Sequence, residues 1–443
     1  MEAKAALCYE FPMKQLRKKL VVLQVAALGW DFCSKHVASR KLPIFQKTKS
    51  VFPAVTCTTQ ATMRTAAPPS MHGMIANGLF FRDLKKVMFW EQAASLVEGP
   101  RIWENIRKRE HARVGMMFWQ QSLGEQLDLV LSPRPIHKHG GGMIQDCHSI
   151  PESLYAEISA TVRKSFNLMH YWGPLASDKS SEWIMDSFDH VMTHETPDLL
   201  FGYLPHLDYD LQRYGPESRH ARSAASALAK MLRRFLQSCE KNNYDYVIFG
   251  DYEITPVRRG AVFPNRRLAD AGLFRAREVK GMLYPDFFHY EAFAMVDHEI
   301  AHVYISDPAK IEFIRELFFG LPGVGEVWTR EEAAALGLDH PNSGELILQA
   351  EPGAWFAYPW WVNSSEAPDY ATHIDIHNKP GFDPCELFFG WPPPSISMNT
   401  KKVDGTHGRL CDVAWTTSLR DPCSPRNLTE LASWIGAWHS RST

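Results

Sequence analysis

Short, uninterrupted apolar runs alternate along this chain with segments whose apolar residues fall at helical spacing, and that alternation constrains the fold more than any other feature. The run Leu20 to Leu28 is rich in valine and is ended by Gly29. "RVGMMFW" (113–119), "LLFGYLP" (199–205), "YVIFGD" (246–251) and "HVYI" (302–305) read in the same way. A strand with no polar alternation is buried on both faces, which points to a central position in a parallel sheet. Between the runs, "RHARSAASALAKMLRRFLQSCEKNN" carries an apolar stripe and a basic outer face, and "DPAKIEFIRELFFGLPG" opens on an aspartate cap and closes at Pro-Gly. The expected architecture is an open, mostly parallel sheet with helices on both faces. In such folds ligands sit beyond the carboxyl ends of the strands, so the residues just after each run are the ones to inspect.

The remaining bulk properties narrow the class. A net charge of −2 over 443 residues gives no global basic field for a nucleic-acid duplex or an anionic membrane. No segment approaches the roughly 20 apolar residues of a membrane span. The basic-then-apolar start contains Gln24 and runs into Trp30-Asp31 without a small-residue cleavage site, so it reads as a buried strand and not as a signal peptide. Eight cysteines are scattered with no CxxC, the pattern of reduced thiols in the cytoplasm. The expected division is a tail at 1–19, one α/β domain at 20–390 and a loop-rich C-terminal extension at 391–443 that packs on it.

Chemistry-bearing residues cluster where the sheet would place them. "SVFPAVTCTTQATMRTAAPPSMHGMIAN" (50–77) concentrates hydroxyls and prolines, with Gly73, in a turn. "HLDYDLQRYGPE" follows one strand and offers His206, Asp208 and Asp210, while "DYEITPV" follows another and offers Asp251 and Tyr252. In "HIDIHNKPGFDP" the alternation of His373, Asp375 and His377 would set all three on one face of a strand. "VDHEIAHVYI" holds Asp297, His298 and His302, and its β-branched alternating end reads as a strand with a packed His302.

In order, "FPAVTCTTQAT", "MHGMIANG", "PRIWENIRKREHARVGMMFWQQS", "DYDLQRYGP", "GDYEI" and "HNKPGFDP" resemble the type I phosphodiesterase/nucleotide pyrophosphatase branch of the alkaline phosphatase superfamily, which includes the phosphonoacetate hydrolases. The resemblance covers roughly residues 20–390 and implies an alkaline-phosphatase-like α/β fold. It implies Thr56 as nucleophile and Asn77 as donor to a non-bridging phosphate oxygen. It also implies Asp208 and His377 as ligands of one metal site and Asp251 as a ligand of a second. A threonine hydroxyl attacks poorly until a cation or base lowers the cost of its ionisation. The implied reaction is hydrolysis of a phosphodiester, nucleotide pyrophosphate or phosphonate bond in a small phosphorylated substrate.

The chain departs from that pattern at three ligand positions. Ala26 stands where the first strand should end in an acid, Gln212 where a histidine should follow Asp208, and Tyr252 where a histidine should follow Asp251. Alanine cannot ligate, and neutral glutamine and tyrosine bind zinc poorly beside imidazole. The expectation is therefore one divalent ion (zinc, manganese or magnesium), with His206, Asp210 or His373 as possible replacement ligands. Arg64, Arg82 or Arg258 are candidates to carry part of the cations' electrostatic work. The competing expectation is a non-hydrolytic member that binds a phosphorylated small molecule or serves in small-molecule biosynthesis.

Overall fold

The computed structural model describes residues 19–38, 41–139, 142–375, 378–420 and 424–438. Its main sheet has eight strands: β1 (Lys19–Val25), β2 (Gln46–Lys49), β3 (Val114–Met117), β4 (Leu129–Pro133), β5 (Cys147–Ile150), β6 (Leu199–Leu204), β7 (Tyr244–Gly250) and β12 (Asp412–Thr417). The spatial order is β2-β12-β7-β1-β6-β3-β4-β5. The five central strands, β7 through β4, are parallel, and antiparallel pairs close both edges. Leu20, Val21, Val22 and Leu23 of β1 are wholly buried between β6 and β7, as a continuous apolar run requires.

Helices cover the sheet and are drawn close where glycine allows. α2 (Asp178–His190) and α4 (Arg219–Lys241) pack on it and on each other. A Cβ on Gly202, in the middle of β6, would lie 1.6 Å from Cζ of Phe188 in α2, so only glycine admits that ring over the strand.

A second, four-stranded antiparallel sheet is made of β8 (Ala292–Asp297), β9 (Ile300–Ile305), β10 (Val324–Thr329) and β11 (Leu346–Ala350), in the order β8-β9-β11-β10. The "HVYI" run belongs here, in β9, and not in the parallel sheet. This sheet has its own apolar core, so β9 is as buried as a central parallel strand and its sequence cannot distinguish the two settings. His302 packs in it, bonding the Ile75 carbonyl at 3.2 Å. "HIDIH" does not form a strand over its described part: residues 369–372 make a 3-10 turn and 373–375 continue as loop. Alternation alone provides no neighbour to pair with.

Three strand ends meet on one side. β1, β6 and β7 run parallel and finish together at Val25, Leu204 and Gly250. β12 runs antiparallel to β7, so it begins at that same side, and β2, antiparallel to β12, ends there. The two-residue turn of the β8–β9 hairpin reaches the same place.

Candidate active site

Beyond these strand ends lies a cleft enclosing about 600 Å³ including its open mouth, and both Thr56 and Asn77 line it. Thr56 is the first residue of α1 (Thr56–Thr65), following extended Val55, and is almost fully buried. Its hydroxyl is within hydrogen-bonding reach of Tyr203, in β6, and Tyr252. Asn77 is tied to the start of the same helix, its Oδ1 accepting from the Cys57 N–H at 3.0 Å. Asp297, at the end of β8, fixes Asn77 from the other side, accepting from its N–H at 2.8 Å and its Nδ2 at 3.1 Å. Thr58, Thr59 and Thr62 lie inside the helix and do not line the cleft; Thr62 bonds His72 at 3.0 Å.

Asp208 lines the same cleft as Thr56, while Asp251 directly follows β7 and is not among the lining residues. "HLDYDLQRY" is not a loop but α3 (His206–Tyr214), which begins directly after Pro205 and carries Asp208 in its first turn. Gln212 lies one helical turn further on and donates its Nε2 to Asp208 Oδ2 at 2.6 Å, while the Tyr252 hydroxyl donates to Oδ1 at 3.0 Å. Asp251 accepts three bonds: the Ala27 and Tyr252 N–H groups on Oδ1, each at 3.0 Å, and Gln24 Nε2 on Oδ2 at 2.7 Å. Burial pushes the Asp208 carboxyl up to about 6 and that of Asp251 up to about 8, with these donors holding both from rising further. Burial likewise lifts the Tyr203 and Tyr252 phenols well above their usual range.

An aromatic wall completes the cleft. The Tyr252 and His407 rings stack at 3.6 Å with 5° between their planes, and His298 lies 3.9 Å beyond His407. Trp90, Trp172 and Phe382 meet edge to face with centroids 5.0 to 5.9 Å apart. Glu386 sits at this wall, accepting from Trp172 Nε1 at 2.9 Å and paired with Lys379. No lysine or arginine is among the described residues lining the cleft.

The other sequence candidates lie elsewhere. His206 is buried against the backbone of Ala224 in α4. Asp210 pairs with Arg213 at 3.6 Å. His373 is exposed and bonds the Asp369 carbonyl, and Asp375 accepts from Asn378. None of these four lines the cleft, and His377 lies outside the described residues. Arg64 is wholly buried on the carbonyls of Gln120 and Gln121, Arg82 pairs with Glu345 at 2.9 Å, and Arg258 pairs with Glu217 at the surface.

Two histidines do line the cleft: His298, noted in the sequence without a role, and His407, which the sequence reading did not single out. His407 precedes β12 in "GTHGRL", with Nδ1 facing the Ala54 carbonyl at 2.9 Å. His298 forms the turn of the β8–β9 hairpin at φ 57°, a left-handed conformation uncommon outside glycine. It is buried, and its Nδ1 has no hydrogen-bond partner among the described residues. Glu299 pins this turn to the His407 loop: its N–H donates to the His407 carbonyl at 2.9 Å and its carboxylate pairs with Arg409 at 2.9 Å. The usable signal was position, since both histidines sit where a strand begins or a hairpin turns.

The divalent metal implied by the family resemblance meets a poor donor set. Among the described residues, no group of three or more His, Cys, Asp or Glu side chains is arranged to hold an ion. Asp208 shares the cleft lining with His298 and His407, Asp251 does not line it, and both carboxylates already carry bonds from neutral donors. The residues present do not fit a pair of cations.

An eight-stranded, mostly parallel sheet flanked by helices, with a cleft beyond the ends of its central strands, defines an alkaline-phosphatase-like fold. The chain belongs to the type I phosphodiesterase/nucleotide pyrophosphatase family, whose pattern matches residues 40–383, and its class is that of a phosphodiesterase/nucleotide pyrophosphatase-like hydrolase. No curated protein matches it in sequence. Among solved structures it is similar to phosphonoacetate hydrolase from Sinorhizobium meliloti 1021 in complex with phosphonoformate, at 15% identity over 96% of each chain with a TM-score of 0.62. It is also similar to murine ectonucleotide pyrophosphatase/phosphodiesterase 5, at 14% identity over 96% of this chain and 95% of that one, TM-score 0.59. An inactive variant of the murine protein in complex with AMP gives 14% identity, 95% and 94% coverage and a TM-score of 0.58. At these identities the likeness speaks for the fold.

Proposed function

We propose that this protein cleaves a phosphodiester or phosphonate ester bearing an apolar or aromatic substituent, with Thr56 as the attacking group. The observation that carries this reading is the convergence of Thr56, Asn77 and Asp208 on one cleft walled by aromatic rings. The amino end of α1 favours an anion beside Thr56, through its free N–H groups and helix dipole. Asn77 gives one amide hydrogen to Asp297 and keeps a second for a non-bridging oxygen. Tyr252, which lines the cleft with Thr56, donates its hydroxyl to Asp208 and so ties the cleft wall to a buried acid. Attack forms a bond from Thr56 Oγ to phosphorus, the ester oxygen leaves with a proton, and water then hydrolyses the phosphothreonine.

Charge sets the substrate class. With Asp208 and the Lys379-paired Glu386 in the lining and no lysine or arginine among its described residues, a terminal phosphate dianion is disfavoured relative to a singly charged ester. The phosphonoformate and AMP bound by the neighbouring structures support a small phosphorylated or phosphonylated ligand. None of the described helices is long and apolar enough to cross a membrane, and the unpaired cysteines support a cytoplasmic setting.

A second reading, a binding protein without turnover, is favoured by the bonds that Gln212 and Tyr252 make to Asp208. The deciding assay offers a bis-aryl phosphate, an aryl phosphonate monoester, an aryl phosphate monoester and a dinucleotide to wild type and to Thr56→Ala. Turnover of the diester or phosphonate ester that Thr56→Ala abolishes supports hydrolysis. Binding of the same compounds with no turnover selects the second reading, and preference for the monoester refutes the charge argument.

A further inference from the structure

We infer that a closed frame of neutral hydrogen-bond donors has taken the place of the cations in this chain, so that the site assembles with no divalent metal. Each departure from the ligand pattern does a specific job in that frame. Gln212 puts an amide where an imidazole would present a lone pair, and turns that position from a ligand into a donor aimed at Asp208 Oδ2, 2.6 Å away. Tyr252 does the same to Oδ1 from the other side, at 3.0 Å, and so bridges the two carboxylates: its hydroxyl bonds Asp208 while its N–H bonds Asp251. At Ala26 the side chain is a methyl group, and the next residue, Ala27, donates its N–H to Asp251. Gln24, pointing out of β1, supplies the remaining donor, at 2.7 Å.

Five donors thus converge on two buried carboxylates, and none of the five is charged. Buried acids need such partners, because an unsatisfied one costs several kcal/mol. A cation normally meets this need, and here backbone and side-chain amides and a phenol meet it instead. An entering ion would have to displace the Gln212 amide or the Tyr252 hydroxyl from the lone pairs it required. His407, one of the two described histidines lining the cleft, lies flat against the Tyr252 ring with Nδ1 turned to the Ala54 carbonyl. The side chains that exclude the ion therefore also hold the acids in place.

The inference rests on the cleft being the functional site, but its readouts are independent of turnover, so failure of the hydrolysis assay leaves it standing. The protein is purified from metal-supplemented medium and its zinc, manganese and magnesium are measured. Its melting temperature is then followed in EDTA and in excess zinc. The expected result is sub-stoichiometric metal and the same melting temperature under both conditions. Zinc present at a hundredfold excess over the Kd of a real site would stabilise the fold by about 2.7 kcal/mol and raise the melting temperature visibly. One or more stoichiometric ions, with a melting temperature that EDTA lowers, overturns the inference. The converse test restores the ligands. The triple variant Ala26→Asp, Gln212→His, Tyr252→His is expected to retain zinc; if it folds and takes none, the assignment of exclusion to these residues is refuted. Should the triple variant not fold, Gln212→His alone decides, since it adds an imidazole beside Asp208 and His407: a gain in zinc retention over wild type supports the frame, and no gain counts against it.

Discussion

Replacing Asp251 by asparagine is expected to stabilise the protein, and by more as the pH rises. In the fold burial lifts this carboxyl to about 8, against about 3.9 for a solvated aspartate. Between those values the folded chain holds a proton that the unfolded chain has released. Stability from this group is therefore fully present below about pH 4, falls by about 1.4 kcal/mol per pH unit through the window, and levels off above pH 8. Asparagine keeps the acceptor for the Ala27 and Tyr252 N–H groups. Its amide would meet Gln24, whose own Oε1 has no partner among the described residues and becomes an acceptor if that amide turns over. The buried histidines cancel in the difference: burial holds His72 and His407 down to about 3 and His206 and His302 to about 4, and their titration in the unfolded chain is the same for both proteins. Glu253, lifted to about 7, contributes equally to both proteins and cancels in the difference. From pH 6 to pH 8 the stability gap between Asp251→Asn and wild type should widen by about 2 to 3 kcal/mol. Urea unfolding at three or four pH values measures it. A gap independent of pH, or a variant that loses ground as the pH rises, would show that Asp251 is ionised in the fold and refute the reasoning.

Three further outcomes follow from the same geometry. Thr56→Ala is expected to lower diester turnover by several orders of magnitude while costing the fold no more than roughly 1 kcal/mol, read from initial rates and a melting curve side by side. Gly202→Ala is expected to destabilise the protein by roughly 1–3 kcal/mol, because the new Cβ collides with Phe188; an unchanged urea midpoint would mean that α2 moves freely over the sheet. Asn77→Ala is expected to cost about 1–3 kcal/mol in the same assay, since it strips a buried acceptor from the Cys57 N–H and a donor from Asp297.

What could be read from the sequence was what local pattern determines. β1, β3, β6 and β7 announce themselves as unbroken apolar runs because both faces of each are covered. Thr56, Asn77 and Asp208, which share the cleft, came from the order of family-like segments and not from local pattern, and Asp251, drawn from the same order, is not among the residues lining it. β9 was legible as a strand but not as a member of the second sheet, since burial looks alike in both. His298 and His407 were not legible as a pair: they lie more than a hundred residues apart in sequence and meet only because a hairpin turn and the approach to β12 arrive at the same cleft. The alternation at "HIDIH" was the stronger local signal, yet its described residues, 373–375, join no sheet.

β12 also fixes when the site can exist. The strand lies between β2, near the start of the chain, and β7, in its middle, and its approach carries His407 to Tyr252. Until residue 417 has left the ribosome, β2 has no partner in the sheet and β7 is an open edge. A nascent chain with β1, β6 and β7 already paired would thus expose a strand edge of the kind that templates aggregation. Completion of the cleft and closure of that edge are a single event, and it comes only after every other strand of the main sheet has been made.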